Sequence, residues 1–488
     1  MPELEADPTN PDSEGAADLG PTGSGAAAAA TATPVAPGPV VAEPASLTEP
    51  AQVPGVGSVD AAPEGGEPAP LPAPVPGTAR IVPLDVLRGF AVLGIFLMNV
   101  QAFSMPFAAY SNPTLWGSLE GAHGWVWVLS HVFAEQKFMT IFSLLFGAGV
   151  VLFTERVAAR GRPTAALHYR RSLGLIAIGL AHAYLLWFGD ILVTYGICAL
   201  WLYFLRRVRP SRLAITGVVL MLVPMALTLA IHFMLPSMPA EMRQGMEAMW
   251  NPPAEQLQAE TDAYRGGWLE QMEARLPAAL MLQTMALVWM VIWRAGGLML
   301  LGMALFKWGV LSGERSARFY DRMALTGLAL GLPLVVYGLW VHLSTDFDVE
   351  TAFATSLFNY AGSVPVALGY IGLVIGAVVR RPAADGWLSR ALAATGRMAL
   401  TNYLLQTVLA TSLFYGHGLG LFGELDRVEQ MAVVLAVWVL QLAWSPWWLA
   451  RYRFGPAEWL WRTMTYLRPQ PMRRRAEVAT DPAGQRSA

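Results

Sequence analysis

Between residues 84 and 449 the chain alternates apolar runs with short polar breaks. A helix rises 1.5 Å per residue, so roughly 20 residues cross the hydrocarbon of a bilayer. Ten runs are of that order: 84–104, 138–155, 172–188, 190–206, 213–235, 279–308, 323–343, 354–379, 398–416 and 429–449. The third and fourth stand at the short end. The run 279–308 is long enough to tilt or break, and the stretch Trp125–Phe133 fits a half-inserted helix. The pattern predicts an all-α fold, a polytopic membrane helix bundle of about ten transmembrane helices.

The breaks differ in charge. With the first residues on the cytoplasmic side, 26 Lys and Arg fall in the inner segments and 5 in the outer ones. Arg88 and Arg294 lie inside runs. Cytoplasmic segments of membrane proteins carry the excess of Lys and Arg, so both termini are expected in the cytoplasm. Five regions follow: a tail at 1–79, an N-terminal membrane half at 80–235, an outer polar loop at 236–278, a C-terminal membrane half at 279–467 and a basic tail at 468–488. The outer loop carries seven acids against three arginines and reads as a partly helical, solvated cap.

Composition agrees with lipid as the solvent. Hydrophobic residues make up 55% and charged residues 14%, where a soluble protein carries roughly 25% charged residues. The first 79 residues include 44 Ala, Gly or Pro and eleven acids with no Lys or Arg, a net charge of −11. Such a segment cannot bury enough apolar surface to offset its ordering entropy and is expected to be disordered. The single cysteine, Cys198, excludes an intramolecular disulfide. No His, Asp and Glu set has metal-ligand spacing, and the arginines form no stripe that could track a nucleic acid.

Candidate chemistry therefore rests on polar groups inside the runs. An ionisable side chain there costs about 2.5–3.5 kcal/mol on insertion scales, so it faces a partner or a wet cavity. The list is Asp85, Arg88, Asn99, His182, Asp190, Arg294, Asn402 and Gln406. Asp85 and Arg88 are three apart and can pair on one helix face. Arg88 and Asn99 share a stripe and stand about 16 Å apart along the axis. A plain reading makes Asp85–Arg88 an interfacial anchor and Asn99 an interhelical hydrogen bond. His182 lies ten residues into a run beginning near Ser172. Asp190, after Gly189, fits the N-cap of the next helix. His168 reads as a solvated loop residue.

Several segments carry a resemblance. They are LDVLRGFAVLGIFLMN (84–99), KFMTIFSLLFGAG (137–149), YRRSLGLIAIGLAHAYLLWFGDILVTY (169–195), GRMALTNYLLQT (396–407) and FGPAEWLWRTMTY (454–466). In this order they resemble the YeiB-like bacterial inner-membrane proteins that carry domain of unknown function 418. That family is similar to a larger group of transmembrane acyltransferases, including heparan-α-glucosaminide N-acetyltransferase and acyltransferase family 3. The Arg-Gly opening matches at Arg88 and Gly89, and Asn99 matches the Asn of lysosomal-type members. Those members have a His shortly beyond, whereas the stretch 101–113 has none.

The resemblance implies transfer of an acyl group, such as acetyl, from cytoplasmic acyl-CoA to a small-molecule or glycan acceptor outside a bacterial inner membrane. Arg88 would then assist at the donor side and Asn99 would position the transferring carbonyl. His182 would be the general base, with Asp190 orienting it. Arg170, Arg171 and Arg397 suit the donor phosphates, and Arg294 suits the central site. Membrane lipid and a second copy of the chain are the other expected partners. The alternatives are a small-molecule or lipid transporter or flippase, and a non-catalytic membrane scaffold, since polar groups at several depths suit those equally.

Overall fold

The computed structural model describes residues 80–381 and 386–474. The expected 1–79 tail and the end of the 468–488 tail lie outside these residues. The described chain is helical throughout. It opens with α1 (Val82–Ser104), the short α2 (Ala108–Ser111), α3 (Gly121–Phe133) and α4 (Lys137–Ala158). Next come α5 (Thr164–Leu185), α6 (Leu192–Leu205) and α7 (Pro210–Met234). Three polar helices follow, α8 (Ala240–Trp250), α9 (Ala254–Arg265) and α10 (Glu270–Met281). A π-helical stretch, Leu282–Val291, leads into α11 (Ile292–Lys307). The chain then forms α12 (Ala317–Ser344), α13 (Val349–Arg380), α14 (Trp387–Arg397), α15 (Ala399–Phe414), α16 (Arg427–Arg451) and α17 (Pro456–Tyr466).

Every one of the ten apolar runs is helical, but not all are equivalent. Among the described residues six helical stretches are long and apolar enough to cross a membrane. They are α1, α3 with α4, α7 with its terminal turn, α12, α13 and α16; the pair of segments around the π-helical stretch makes a seventh, bent by 63°. The break lies in the run 279–308, which exceeds a single crossing. α6, at 14 residues, is shorter than a crossing. α5 begins at Thr164, eight residues before Ser172, because its first two turns carry Arg170 and Arg171 and so escape an apolar-run reading. His182 consequently sits in the last turn of α5 rather than half-way along it. His168 is likewise on this helix and buried, with Nε2 2.8 Å from the Ala199 carbonyl oxygen, and is not a solvated loop residue.

α1 is the central helix: 78% of its most apolar stretch is buried inside the protein, against 22% for α7. Pro83 opens it, where the missing amide hydrogen would have no helical partner anyway, and Asp85 faces the positive end of the helix dipole. Lipid tails are as apolar as leucine, so helices in a bilayer associate through close packing and interhelical hydrogen bonds. Both are present. Gly89 and Gly396 bring the backbones of α1 and α14 into contact, and Gly147 and Gly302 do the same for α4 and α11. Asn402 and Gln406 serve as polar glue. Gln406 donates to the Val92 carbonyl and to Gln441 Oε1 (3.1 and 2.9 Å), and Asn402 donates to the Thr395 carbonyl and to Ser445 (3.1 Å each). These bonds tie α15 to α1, α14 and α16.

The polar stretch expected as a solvated cap is more deeply set. Leu257, Tyr264, Gln271 and Arg275 are buried there, and Tyr264 stacks on Phe422 at 4.9 Å.

Candidate functional site

At the end of the bundle where α1 and α5 begin and α4 ends, a vestibule of about 260 Å³ opens. Seven arginines line it: Arg80, Arg88, Arg156, Arg160, Arg171, Arg397 and Arg462. The carboxylates there are Asp85 and Glu458, so the lining carries a net charge of +5. Asp85 Oδ1 accepts from Arg88 at 3.0 Å. Glu458 is committed to the start of α15, accepting from the Leu400 and Thr401 amides (2.8 and 3.1 Å) and the Thr401 hydroxyl (2.5 Å). Arg171 is held over the rings of Phe153 and Trp461 at 4.7 and 4.2 Å, contacts that fix its direction without neutralising it. Arg397 keeps a buried Nε with no hydrogen-bond partner. Burial first, then neighbouring Arg80, pushes the Arg397 guanidinium down to about 10, and burial lowers Arg462 too. A cluster strained this way favours a bound anion.

The glycine contact explains how two of these cations meet. Arg88 directly precedes Gly89 and Arg397 directly follows Gly396. The close crossing of α1 and α14 therefore sets both guanidinium groups on one wall.

The vestibule continues inward as a neck of about 220 Å³ that shares Arg88, Arg171 and Arg397 with it. The neck is walled by Phe142, Phe146, Leu175, Leu192 and Tyr403, and it reaches Ile191 and Tyr195. Those two residues also line a third, larger cavity of about 390 Å³ toward the other end of α1. Asn99, Asp190, Arg294, Tyr110, Gln136, Ser143 and Thr194 stand on its walls among apolar residues. The three spaces follow α1 from Arg80 to Asn99.

Arg294 donates to the Tyr360 carbonyl (3.2 Å) and the Ser363 hydroxyl (2.7 Å) and lies over the Tyr360 ring at 3.9 Å. Among the described residues no carboxylate forms an ion pair with it. Tyr195 and Ser143 share a 2.7 Å hydrogen bond at the junction of neck and cavity. Gln136 adopts a left-handed backbone (φ 64°) at the start of α4, and its buried Oε1 has no partner.

His182 stands behind this wall. Its Nδ1 is 3.0 Å from Asp190 Oδ2 and its Nε2 is 2.9 Å from Thr407 Oγ1, so both ring nitrogens are engaged. Its side chain is 1% exposed. Asp190 in turn accepts from the Leu192 and Val193 amides at 3.1 and 3.0 Å, capping α6. The aspartate is thus cap and imidazole partner at once; it alone of the two is a lining residue of the cavity, and its carboxylate, held by His182 and the two amides, is 0% exposed.

Of the residues singled out from sequence, Arg88, Arg171 and Arg397 come together in the vestibule, and Asn99, Asp190 and Arg294 in the cavity. Arg170 is exposed and outside the vestibule lining. Arg462, Trp461, Glu458, Ser143 and Tyr195 complete the site. Each lies in a segment quoted above for its resemblance, but none is an ionisable group in mid-span, the signal that selected the others. Lys137, counted among the outer-segment cations, is instead fully buried: it donates to the His131 carbonyl and to Asn359 Oδ1 (2.7 and 2.6 Å), and His131 pairs with Glu135 at 2.5 Å. Among the described residues no set of three His, Cys, Asp or Glu could hold a metal ion.

Residues 305–468 match the family model described as a protein of unknown function, DUF418. Over 394 residues the chain is 35% identical to an uncharacterized protein, YeiB, of Escherichia coli, covering 79% of this chain and 96% of that one. It is 29% identical over 418 residues to the uncharacterized YxaH of Bacillus subtilis, covering 82% and 97%. No solved structure matches the chain.

Proposed function

The chain belongs to the YeiB-like DUF418 family, and on that footing we propose that it is a transmembrane acyltransferase taking its acyl group from acyl-CoA. The observation that carries the reading is the shared wall: the arginine-lined vestibule and neck meet the Asn99–Arg294 cavity at Ile191 and Tyr195, next to Asp190. With the arginine-rich end in the cytoplasm of a bacterial inner membrane, the nucleotide phosphates of the donor lie against Arg88, Arg171, Arg397 and Arg462. Guanidinium groups suit phosphate oxygens through paired, charge-assisted bonds. The pantetheine arm runs through the apolar neck and presents the thioester beside Tyr195.

The acceptor occupies the far cavity. Its hydroxyl or amine attacks the thioester carbonyl, the C–S bond breaks and a C–O or C–N bond forms. Once the Asp190 carboxylate, 0% exposed at rest, is uncovered to the acceptor, the acceptor's proton passes to it, is shared with His182 and is returned to the departing sulfur, so that CoA leaves as the thiol. Asn99 donates to the developing oxyanion. His182 acts through Asp190 because its own nitrogens face Asp190 and Thr407. Both ends in the cytoplasm, which requires an even number of crossings, accommodate this arrangement.

Titration of the purified protein with acetyl-CoA tests the donor half. The proposal predicts saturable binding that Arg397→Gln weakens about tenfold or more, the scale of one charge-assisted hydrogen bond. Absence of binding to the wild-type protein overturns it. Spaces that share lining residues along α1 also suit a transport path. Uptake of a solute into proteoliposomes without acyl-CoA consumption would favour that reading instead.

A further inference from the structure

The cavity around Asn99 and Arg294 shares Ile191 and Tyr195 with the neck and has an exposed residue elsewhere in its wall. Met139, in the first turn of α4, lines it and is 39% exposed. Across from it the lining includes Leu282 and Val291, the two ends of the π-helical stretch. Met285, Val288 and Trp289 of that stretch are exposed and apolar. In a spanning bundle such a surface faces acyl chains rather than water. Met139 thus belongs both to the cavity wall and to the surface that faces the bilayer, at the end of α1 remote from the arginine vestibule.

The lining of the interior is mixed. Gly94, Ile95, Met98, Phe138 and Leu298 make most of the wall apolar. Its polar lining includes Arg294, which among the described residues has carbonyl, hydroxyl and ring partners but no carboxylate ion pair, and Gln136, with a buried and unpartnered Oε1; Asp190, also of the lining, is held by His182 and two amides. A guanidinium in an apolar surround is incomplete without an anion. Gln136 adds an acceptor for a hydroxyl donor on the same head group.

We infer that this cavity binds an amphiphile with an anionic head group, drawn from the bilayer past Met139. The head group sits at Arg294 and the acyl chains lie along the apolar wall toward the π-helical stretch. Under the acyl-transfer reading, on which only this clause rests, that amphiphile is the acceptor, and its hydroxyl is the group that attacks.

The test uses the full chain, purified and stripped of lipid, with a diazirine-bearing phosphatidylglycerol and its phosphatidylcholine counterpart as probes. Cross-linked peptides are mapped by mass spectrometry. The expected result is labelling of the Met139 turn and of the segment 282–298 by phosphatidylglycerol, with the phosphatidylcholine probe confined to the outer surface. Arg294→Gln should reduce cavity labelling about tenfold or more. Met139→Trp, at an exposed rim position, should block it while leaving thermal unfolding unchanged, so the inference stays testable even if Arg294→Gln misfolds. Soluble glycerol 3-phosphate in large excess should not compete. Equal cavity labelling by both lipids, no cavity labelling, full competition by glycerol 3-phosphate, or insensitivity to Met139→Trp overturns it. Acetyl-CoA titration of the same samples separates the two readings. Lipid labelling without donor binding removes the acyltransferase and keeps the lipid site; donor binding without lipid labelling does the reverse.

Discussion

Replacing Gly396 by alanine tests how the fold sets the proposed donor site. A β-carbon at Gly396 would overlap the Asp85 carbonyl oxygen and stand 2.6 Å from the Gly89 amide nitrogen. Ordinary contact begins near 3.5 Å, so α1 and α14 must separate by about 1.5 Å. Both obstacles are backbone, which cannot swing aside as a side chain can. Overpacking of this kind costs about 1–3 kcal/mol, so the unfolding temperature falls. The larger consequence is local. Arg88 and Arg397 flank the two glycines, and moving the helices apart breaks their common wall. Loss of one charge-assisted phosphate contact is worth about 1.5–3 kcal/mol, or roughly tenfold to a hundredfold in affinity. Calorimetric titration of acetyl-CoA at fixed ionic strength measures it, with thermal unfolding in parallel. Gly245→Ala is the control, since its β-carbon would meet nothing within 4 Å. A folded Gly396→Ala protein with unchanged acetyl-CoA affinity would refute the reasoning.

Four further outcomes are expected. His182→Ala leaves Thr407 and Asp190 each short of a partner in a dry site, so it should destabilise by about 1–3 kcal/mol and abolish acyl transfer. Thr407→Val should cost stability yet retain transfer, and equal loss of transfer in both would move the proton path to Thr407. Acetyl-CoA binding should weaken steeply toward about 1 M salt, where the Debye length falls to about 3 Å; a flat salt dependence contradicts phosphate capture by the arginine cluster. Glu260 lies in the polar region outside the spans, and burial raises its pKa above 4.5, against the lowering effect of the Phe107 amide that donates to it at 3.0 Å. Its folded form holds the proton more tightly than its unfolded form. The resulting stability is complete below 4.5 and disappears as pH rises through the raised folded value. Glu260→Gln should therefore unfold at a progressively higher temperature than wild type as pH increases over that window; a pH-independent gap counts against it.

The helical content was legible because a bilayer admits few solutions: twenty apolar residues between arginines leave the backbone no partner but itself. Arg88, Asn99 and Arg294 could be picked out for the same reason, since a charge or amide in a span is costly unless it faces a partner or a cavity. What escaped the sequence were positions whose role depends on tertiary approach. Gly396 reads as an ordinary small residue until α1 crosses it. Tyr195 and Ser143 look like interfacial and helix-packing residues until neck and cavity meet beside them. The start of α5 was misplaced because arginines at a helix end interrupt hydropathy without interrupting the helix. His182 then moved from mid-span to the last turn, where Asp190 could reach it across the turn into α6.

The central claim is that one passage, from the seven-arginine vestibule past Tyr195 to Asn99 and Arg294, holds the acyl donor. A cryo-electron microscopy map of the protein with acetyl-CoA tests it most directly. The account predicts phosphate density against Arg88, Arg171 and Arg397, and the thioester beside Tyr195. Acetyl-CoA seated elsewhere, or a vestibule that stays empty at saturating concentration, would contradict it.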